Sequence, residues 1–400
     1  MSWAPILDGV NKAKAIEIIA FIKKSTPSQY YDSSLMYGRG GLLIWLAYLS
    51  KYDDDIAGIE REDSLFNKVL EEILDSSETQ YSFGKGSLGT SWALAHLIKN
   101  GFVSEEGDIF SNVSGDFETI SSEMIDEGNY DYMLAGLGAL LFFIETGKQK
   151  SAEIIFQRLK NNAIAQIDGI TWKESPIVRN SPSQGINYNL GLAHGVPGIM
   201  SIISLFHTYI KTQLKDDSRA TILKISNWLL SLHFDFPNSS ARFPFSFGDN
   251  ETPFPTSIRW CYGDLGIAHS LYLSGINIGD KRLKHEGIEL AKRCIGRNSE
   301  SQNIVDAHLC HGTAGIAHIY NRFYNSSHEN LFKDAATFWF EETFRKFNPK
   351  FEFGFQAWKG EQYGWQDFPG LLEGSAGIGL ALSSAISEVE PKWDRCLLLS

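Results

Sequence analysis

The stretch LCHGTAGIAHI, residues 309–319, sets a cysteine and a histidine directly before a glycine, two more residues and a second glycine, and then runs into apolar side chains. The same phrase stands at residues 258–270 as IRWCYGDLGIAHS, with the cysteine at the same point. Five further copies are YGRGGLLIWL, KGSLGTSWAL, LAGLGALLFF, HGVPGIMSII and EGSAGIGLAL. The second glycines are Gly41, Gly89, Gly138, Gly198, Gly266, Gly315 and Gly377, at intervals of 48, 49, 60, 68, 49 and 62 residues. Six copies keep the first glycine; the third has Ala135 there. A fixed phrase returning at this period is the signature of a repeat fold.

Each phrase opens a run that is apolar nearly all round, such as GIMSIISLF, and a helix without a polar face is a buried helix. Between the copies lie segments whose apolar residues recur near i, i+3, i+4 and i+7, which is the pattern of half-buried helices. Examples are NKAKAIEIIAFIKK, DSLFNKVLEEILD and RLKHEGIELAKRCI; DFETISSEMIDE, before the third copy, is the weakest. Closing such pairs into a ring covers the apolar set with the amphipathic set. The expected fold is therefore all-α, an α/α toroid of seven inner and seven outer helices forming one domain over residues 1–400. An open solenoid is the alternative, but it wants polar-faced ends, and the last copy is as apolar as the others. The glycines are expected to serve a sharp turn, through positive φ and close backbone approach.

Composition narrows the function. The net charge of −12 gives no basic face for nucleic acid. The start, MSWAPILDGVNKAKAIEII, has no basic region or small-residue cleavage site of a secretory signal, so the cytoplasm is expected. The apolar runs GGLLIWLAYL and AGLGALLFFI are about half the ~20 residues of a membrane span. With only Cys261, Cys294, Cys310 and Cys396, cysteine reads as ligand, nucleophile or filler rather than as disulfide.

In a closed ring, equivalent positions point the same way. Four residues before the second glycines stand Tyr37, Lys85, Leu134, His194, Tyr262, His311 and Glu373. Five before them, Cys261 and Cys310 share one register, and His311 follows Cys310. Two thiolates and an imidazole occupy three corners of a tetrahedral zinc site and leave the fourth open. His269 and His318 also share a register and are rival ligands, although buried packing is the expected role. Cys294 and Cys396 lie off the register and read as packing. His194, one repeat before Cys261, is a natural acid or base near such a metal. Asp131, seven before Gly138, either orients a catalytic imidazole or caps a helix.

These residues resemble the lanthionine synthetase C family, the lanthipeptide cyclases. The resemblance rests on WCYGDLGIA, CHGTAGIAH, NLGLAHGVPGI, and the closing EGSAGIGLAL with WDRCLLL, and it spans essentially the whole chain. It implies a seven-fold α/α toroid with Zn2+ held by Cys261, Cys310 and His311. It also implies addition of a precursor-peptide cysteine to dehydroalanine or dehydrobutyrine, which leaves a thioether ring. His194 and Asp131 match the family's catalytic histidine and aspartate, and Tyr262 its tyrosine beside the first cysteine. The family's arginine four residues before that cysteine is replaced here by Ser257, so Arg259 is the substitute to consider.

The implied partner is a dehydrated lanthipeptide precursor, leader and core. A separate dehydratase and an exporter are further candidate partners, because 400 residues leave no room for a fused dehydratase, and such a complex would lie at the inner face of the membrane. Long aromatic-rich loops near 168–189, 234–257 and 348–370 are expected to rim the site and bind the peptide. Two alternatives use related parts: a glutathione- or peptide-binding relative without cyclase activity, and a zinc protein prenyltransferase, which fits the Cys-Cys-His set less well.

Overall fold

The computed structural model describes residues 3–27, 32–52, 80–104, 107–178, 187–237, 239–248 and 252–400. The expected amphipathic helix at DSLFNKVLEEILD, residues 63–75, lies outside them, as do parts of the loops near 168–189 and 234–257. The chain forms two compact units. One comprises Met1–Gln80, Gly84–Phe102 and Arg297–Asp394; the other comprises Tyr81–Phe83, Val103–Gly296 and Arg395–Ser400.

All seven glycine phrases open helices. In the first unit these are Arg39–Tyr52, Ser87–Lys99, Thr313–Ser327 and Ser375–Ile386; in the second they are Gly138–Thr146, Val196–Tyr209 and Asp264–Asn277. Their apolar sequence is matched by their burial: Val196 through His207 are buried without a break. Within each unit these helices pack side by side, Val196–Tyr209 against Gly138–Thr146 and Asp264–Asn277, and Ser375–Ile386 against Arg39–Tyr52 and Thr313–Ser327.

Amphipathic helices flank them. Lys281–Cys294 packs on Asp264–Asn277 through Leu283, Gly287, Leu290, Ala291 and Cys294, one stripe at helical spacing. Its start is fixed by Asp280, whose side chain accepts from the Leu283 N–H at 3.0 Å. Even DFETISSEMIDE is helical, within Ser111–Asp126, and buries Ser114, Phe117, Ser121, Ser122 and Ile125. Among the described residues no helix is long and apolar enough to cross a membrane.

The glycines work by close approach alone. The expected positive φ is not found: the capping glycines are extended, Gly312 at φ −105°, ψ −177°. A Cβ on Gly312 would stand 2.5 Å from the Ala307 carbonyl carbon, and one on Gly266 2.7 Å from the Trp260 carbonyl oxygen. Overpacking of this kind costs about 1–3 kcal/mol or forces the turn open. The third copy illustrates the rule. With Ala135 in place of the capping glycine, its helix begins only at Gly138, whereas the other six begin two residues before the second glycine.

The long loops are more ordered than a loop reading implies. Asn187–Asn189 pairs antiparallel with Ser246–Gly248, which ties the first loop to the second. Gln356–Trp358 pairs with Trp365–Asp367 inside the third. Partly buried backbone needs hydrogen-bond partners, and short ladders supply them.

Candidate functional site

Asp131 lies in the turn that leads to Gly138, and His194 in the turn that leads to Val196–Tyr209. His194 Nδ1 and Asp131 Oδ2 are 2.7 Å apart. The Asp131 side chain is fully buried, and that of His194 remains 23% exposed. The other carboxylate oxygen of Asp131 accepts from the Leu134 N–H at 2.7 Å. One carboxylate thus holds the imidazole and pins its own turn; it does not cap the helix that follows, whose N-cap is Leu137. Burial alone would lower the His194 pKa, but the hydrogen bond and negative charge of Asp131, with smaller contributions from Cys261 and Glu174, raise it above the ordinary value.

Tyr262 stands beside this pair, its ring centroid 6.0 Å from that of His194. Its hydroxyl oxygen accepts from Asn189 Nδ2 at 2.8 Å, and Asn189 Nδ2 also donates to Glu174 Oε1 at 2.9 Å. Burial holds the phenol well above its usual pKa, so it stays protonated. Phe245 stacks on the ring at 4.1 Å. Gly191 makes room for this seat: a Cβ there would stand 2.6 Å from the Tyr262 ring and 2.7 Å from the Cys261 carbonyl. Arg259 is half-buried in the turn closed by the Ile258–Gly263 bridge.

His311 follows Cys310 in the turn before Thr313–Ser327. Its Nε2 lies 3.0 Å from Oδ2 of Asp306, whose side chain is fully buried. The same oxygen receives the Trp358 N–H at 3.4 Å. Burial opposes the charge on Asp306, yet the hydrogen bonds and charges of His308 and His311 hold its carboxyl far below the usual carboxylate range. An ionised Asp306 keeps the His311 proton on Nε2 and leaves the lone pair on Nδ1, the arrangement found behind metal-bound histidines.

Cys310 and His311 are adjacent on one turn of the first unit, Cys261 stands on the corresponding turn of the second, and all three residues are half-buried. Two thiolates and an imidazole are a set with the softness that zinc favours. The rival histidines stand outside it. His318 is buried, with Nε2 2.7 Å from Asp394 Oδ2 and its ring stacked on Trp393. His269 is buried within Asp264–Asn277. Cys294 and Cys396 are buried as well.

Three participants escaped the sequence reading. Asp306 and Asn189 each stand nine residues before the second glycine of their phrases, a register position that the reading did not use, and Glu174 sits off the register. Asn189 had one local signal, since it opens the NLGLAHG phrase.

The geometry can be set beside known proteins. The family described as Lanthionine synthetase C-like protein matches residues 11–398. The nisin biosynthesis protein NisC of Lactococcus lactis subsp. lactis is 23% identical over 399 residues, covering 92% of this chain and 89% of that protein. The solved structure of a nisin cyclase superposes with a TM-score of 0.73 at 18% identity, covering 97% of each chain, so the fold is the α/α toroid of that structure. With the match running nearly end to end, the chain belongs to the lanthionine synthetase C-like family.

Proposed function

We propose that this protein is a lanthipeptide cyclase that joins cysteine thiols of a dehydrated precursor to dehydroalanine or dehydrobutyrine, closing lanthionine and methyllanthionine rings. The observation that carries the reading is the turn on which Asp306 orients the imidazole of His311 directly beside the Cys310 thiol, in a chain of this family. Cys261, Cys310 and His311 would hold zinc. Zinc bound there supplies the positive charge that keeps a peptide thiol ionised near neutral pH.

The chain's own residues supply the rest. A peptide thiolate bonds to the alkene β-carbon, and the π electron pair moves toward the α-carbon and its carbonyl. His194, held at Nδ1 by Asp131, carries its transferable proton on Nε2 and delivers it to the α-carbon. The proton lost by the thiol restores His194, so nothing leaves and the mass is unchanged. Tyr262 accepts from Asn189, which frees its own O–H to donate to the carbonyl oxygen as negative charge develops. Arg259 is a second candidate for that charge. The loops near 168–189, 234–257 and 348–370 would hold the peptide; Phe245, Phe254, Trp358, Tyr363 and Trp365 are exposed on them. The dehydro residues must come from a dehydration reaction, so a dehydratase, and an exporter after it, are the proposed partners.

The test is incubation with the dehydrated precursor of a neighbouring gene, followed by thiol alkylation and mass spectrometry. Loss of alkylatable thiols at constant mass is expected. Binding with every thiol retained would refute catalysis and favour a peptide-binding role.

Asp306 gives a separate prediction. Asp306→Asn should weaken zinc binding by roughly 10- to 100-fold, because the replacement removes the charge that fixes the His311 tautomer. Competition with a zinc-sensitive chelator reads the affinity directly.

A further inference from the structure

Asn189 is buried at the end of the strand Asn187–Asn189. A carboxamide has the same shape either way round, so its chemistry depends on which end meets which neighbour. Two groups with a single possible role decide it here. The Gly191 N–H can only donate, and it meets Asn189 Oδ1 at 2.9 Å. The ionised Glu174 carboxylate can only accept, and its Oε1 takes Asn189 Nδ2 at 2.9 Å. Glu174 is itself held on the strand. Its N–H donates to the Asn187 carbonyl at 2.7 Å, and its Oε2 accepts from Asn187 Nδ2 at 3.2 Å.

Asn189 therefore presents a donor to Tyr262, with Nδ2 2.8 Å from the hydroxyl oxygen. A phenol oxygen that receives a donor turns its own O–H away from that donor. With the amide reversed, the Asn189 oxygen would take the Tyr262 proton, and the phenol would offer a substrate carbonyl only lone pairs. The direction of one buried amide decides whether Tyr262 is a donor to anything else.

We propose that Glu174 is a positioning residue: by fixing the Asn189 amide it turns the Tyr262 O–H away from Asn189 and toward the carbonyl of the dehydro residue. That carbonyl rests on the cyclase reading; the direction of the bond does not. The decisive variant exchanges the two groups, Glu174→Gln together with Asn189→Asp. Net charge and an amide–carboxylate contact are kept, while the bond to Tyr262 reverses. The kcat for thiol loss should fall about 10²–10³-fold, the usual cost of one donor to a developing oxyanion. KM and zinc content should stay at wild-type values, and the exchange should cost nothing further in Tyr262→Phe. If the exchange does not fold, Asn189→Ala must obey the same rule, with its loss absent in Tyr262→Phe. Ultraviolet resonance Raman, taken as the difference with and without Tyr262→Phe, reads the bond direction without substrate: the phenol should accept in the wild-type protein and donate in the exchange. Wild-type kcat in the exchange, a loss that persists in Tyr262→Phe, or a wild-type phenol that donates would each overturn the inference. Absence of thiol loss by the wild-type protein, with its phenol accepting, would end the cyclase reading and leave the positioning of Tyr262 in place.

Discussion

Cys310→Ala is expected to remove bound zinc and to leave the thiols of a dehydrated precursor unconsumed. Cys310 is half-buried, stands beside His311 on its turn, and is one of the three proposed zinc ligands. Two remaining ligands do not make a tetrahedral site. The side chain lost is small, so the helix Thr313–Ser327 behind it should form as before. The readout has two channels, metal per chain by absorption spectrometry and alkylatable thiols by mass. Zinc at one ion per chain in Cys310→Ala, or wild-type thiol loss without metal, would reject the assigned ligand set.

His194→Gln should act differently: zinc stays, and ring closure slows by roughly 10²–10⁴-fold, the usual contribution of a positioned acid. The pH profile gives a finer test. Burial disfavours a charged His194, but the hydrogen bond and charge of Asp131 outweigh it, so the folded pKa lies above the ordinary histidine value. The protonated donor therefore persists to higher pH than an ordinary histidine would allow, and its contribution is lost as pH rises through that raised value. Asp131→Asn keeps an acceptor for Nδ1 but removes the charge. The alkaline fall in rate should then move to lower pH. A profile that does not move would mean that another group gives the proton.

Much of this was legible in the chain. Seven phrases of glycine and apolar residues marked seven helices, because close approach of backbone to backbone admits only glycine at Gly266 and Gly312. Counting from those glycines also put Cys261, Cys310, His311, His194 and Asp131 on the turns. Two things stayed hidden. Asp306 and Asn189 share a register, nine residues before their second glycines, but register does not name a hydrogen-bond partner, so their places behind His311 and Tyr262 needed coordinates. Local backbone detail was hidden too: the glycine phrase does not say whether it is used for φ or for space, and the answer at Gly312 is space. The strands Asn187–Asn189 and Ser246–Gly248 are each three residues long, too short for alternation to register.

The turns in front of the helices also bear on how such a protein changes over time. Several are braced by a neighbour's main chain, as Ala193 is on the Cys261 carbonyl and Leu372 on that of Met36, so the outward side chain there carries little of the folding burden. Such a position behaves as an interchangeable socket, where a lysine, a phenol, a carboxylate or an imidazole can be traded at small expense. A toroid built this way can be retooled for a new guest one repeat at a time, while the fold beneath is conserved by its glycines.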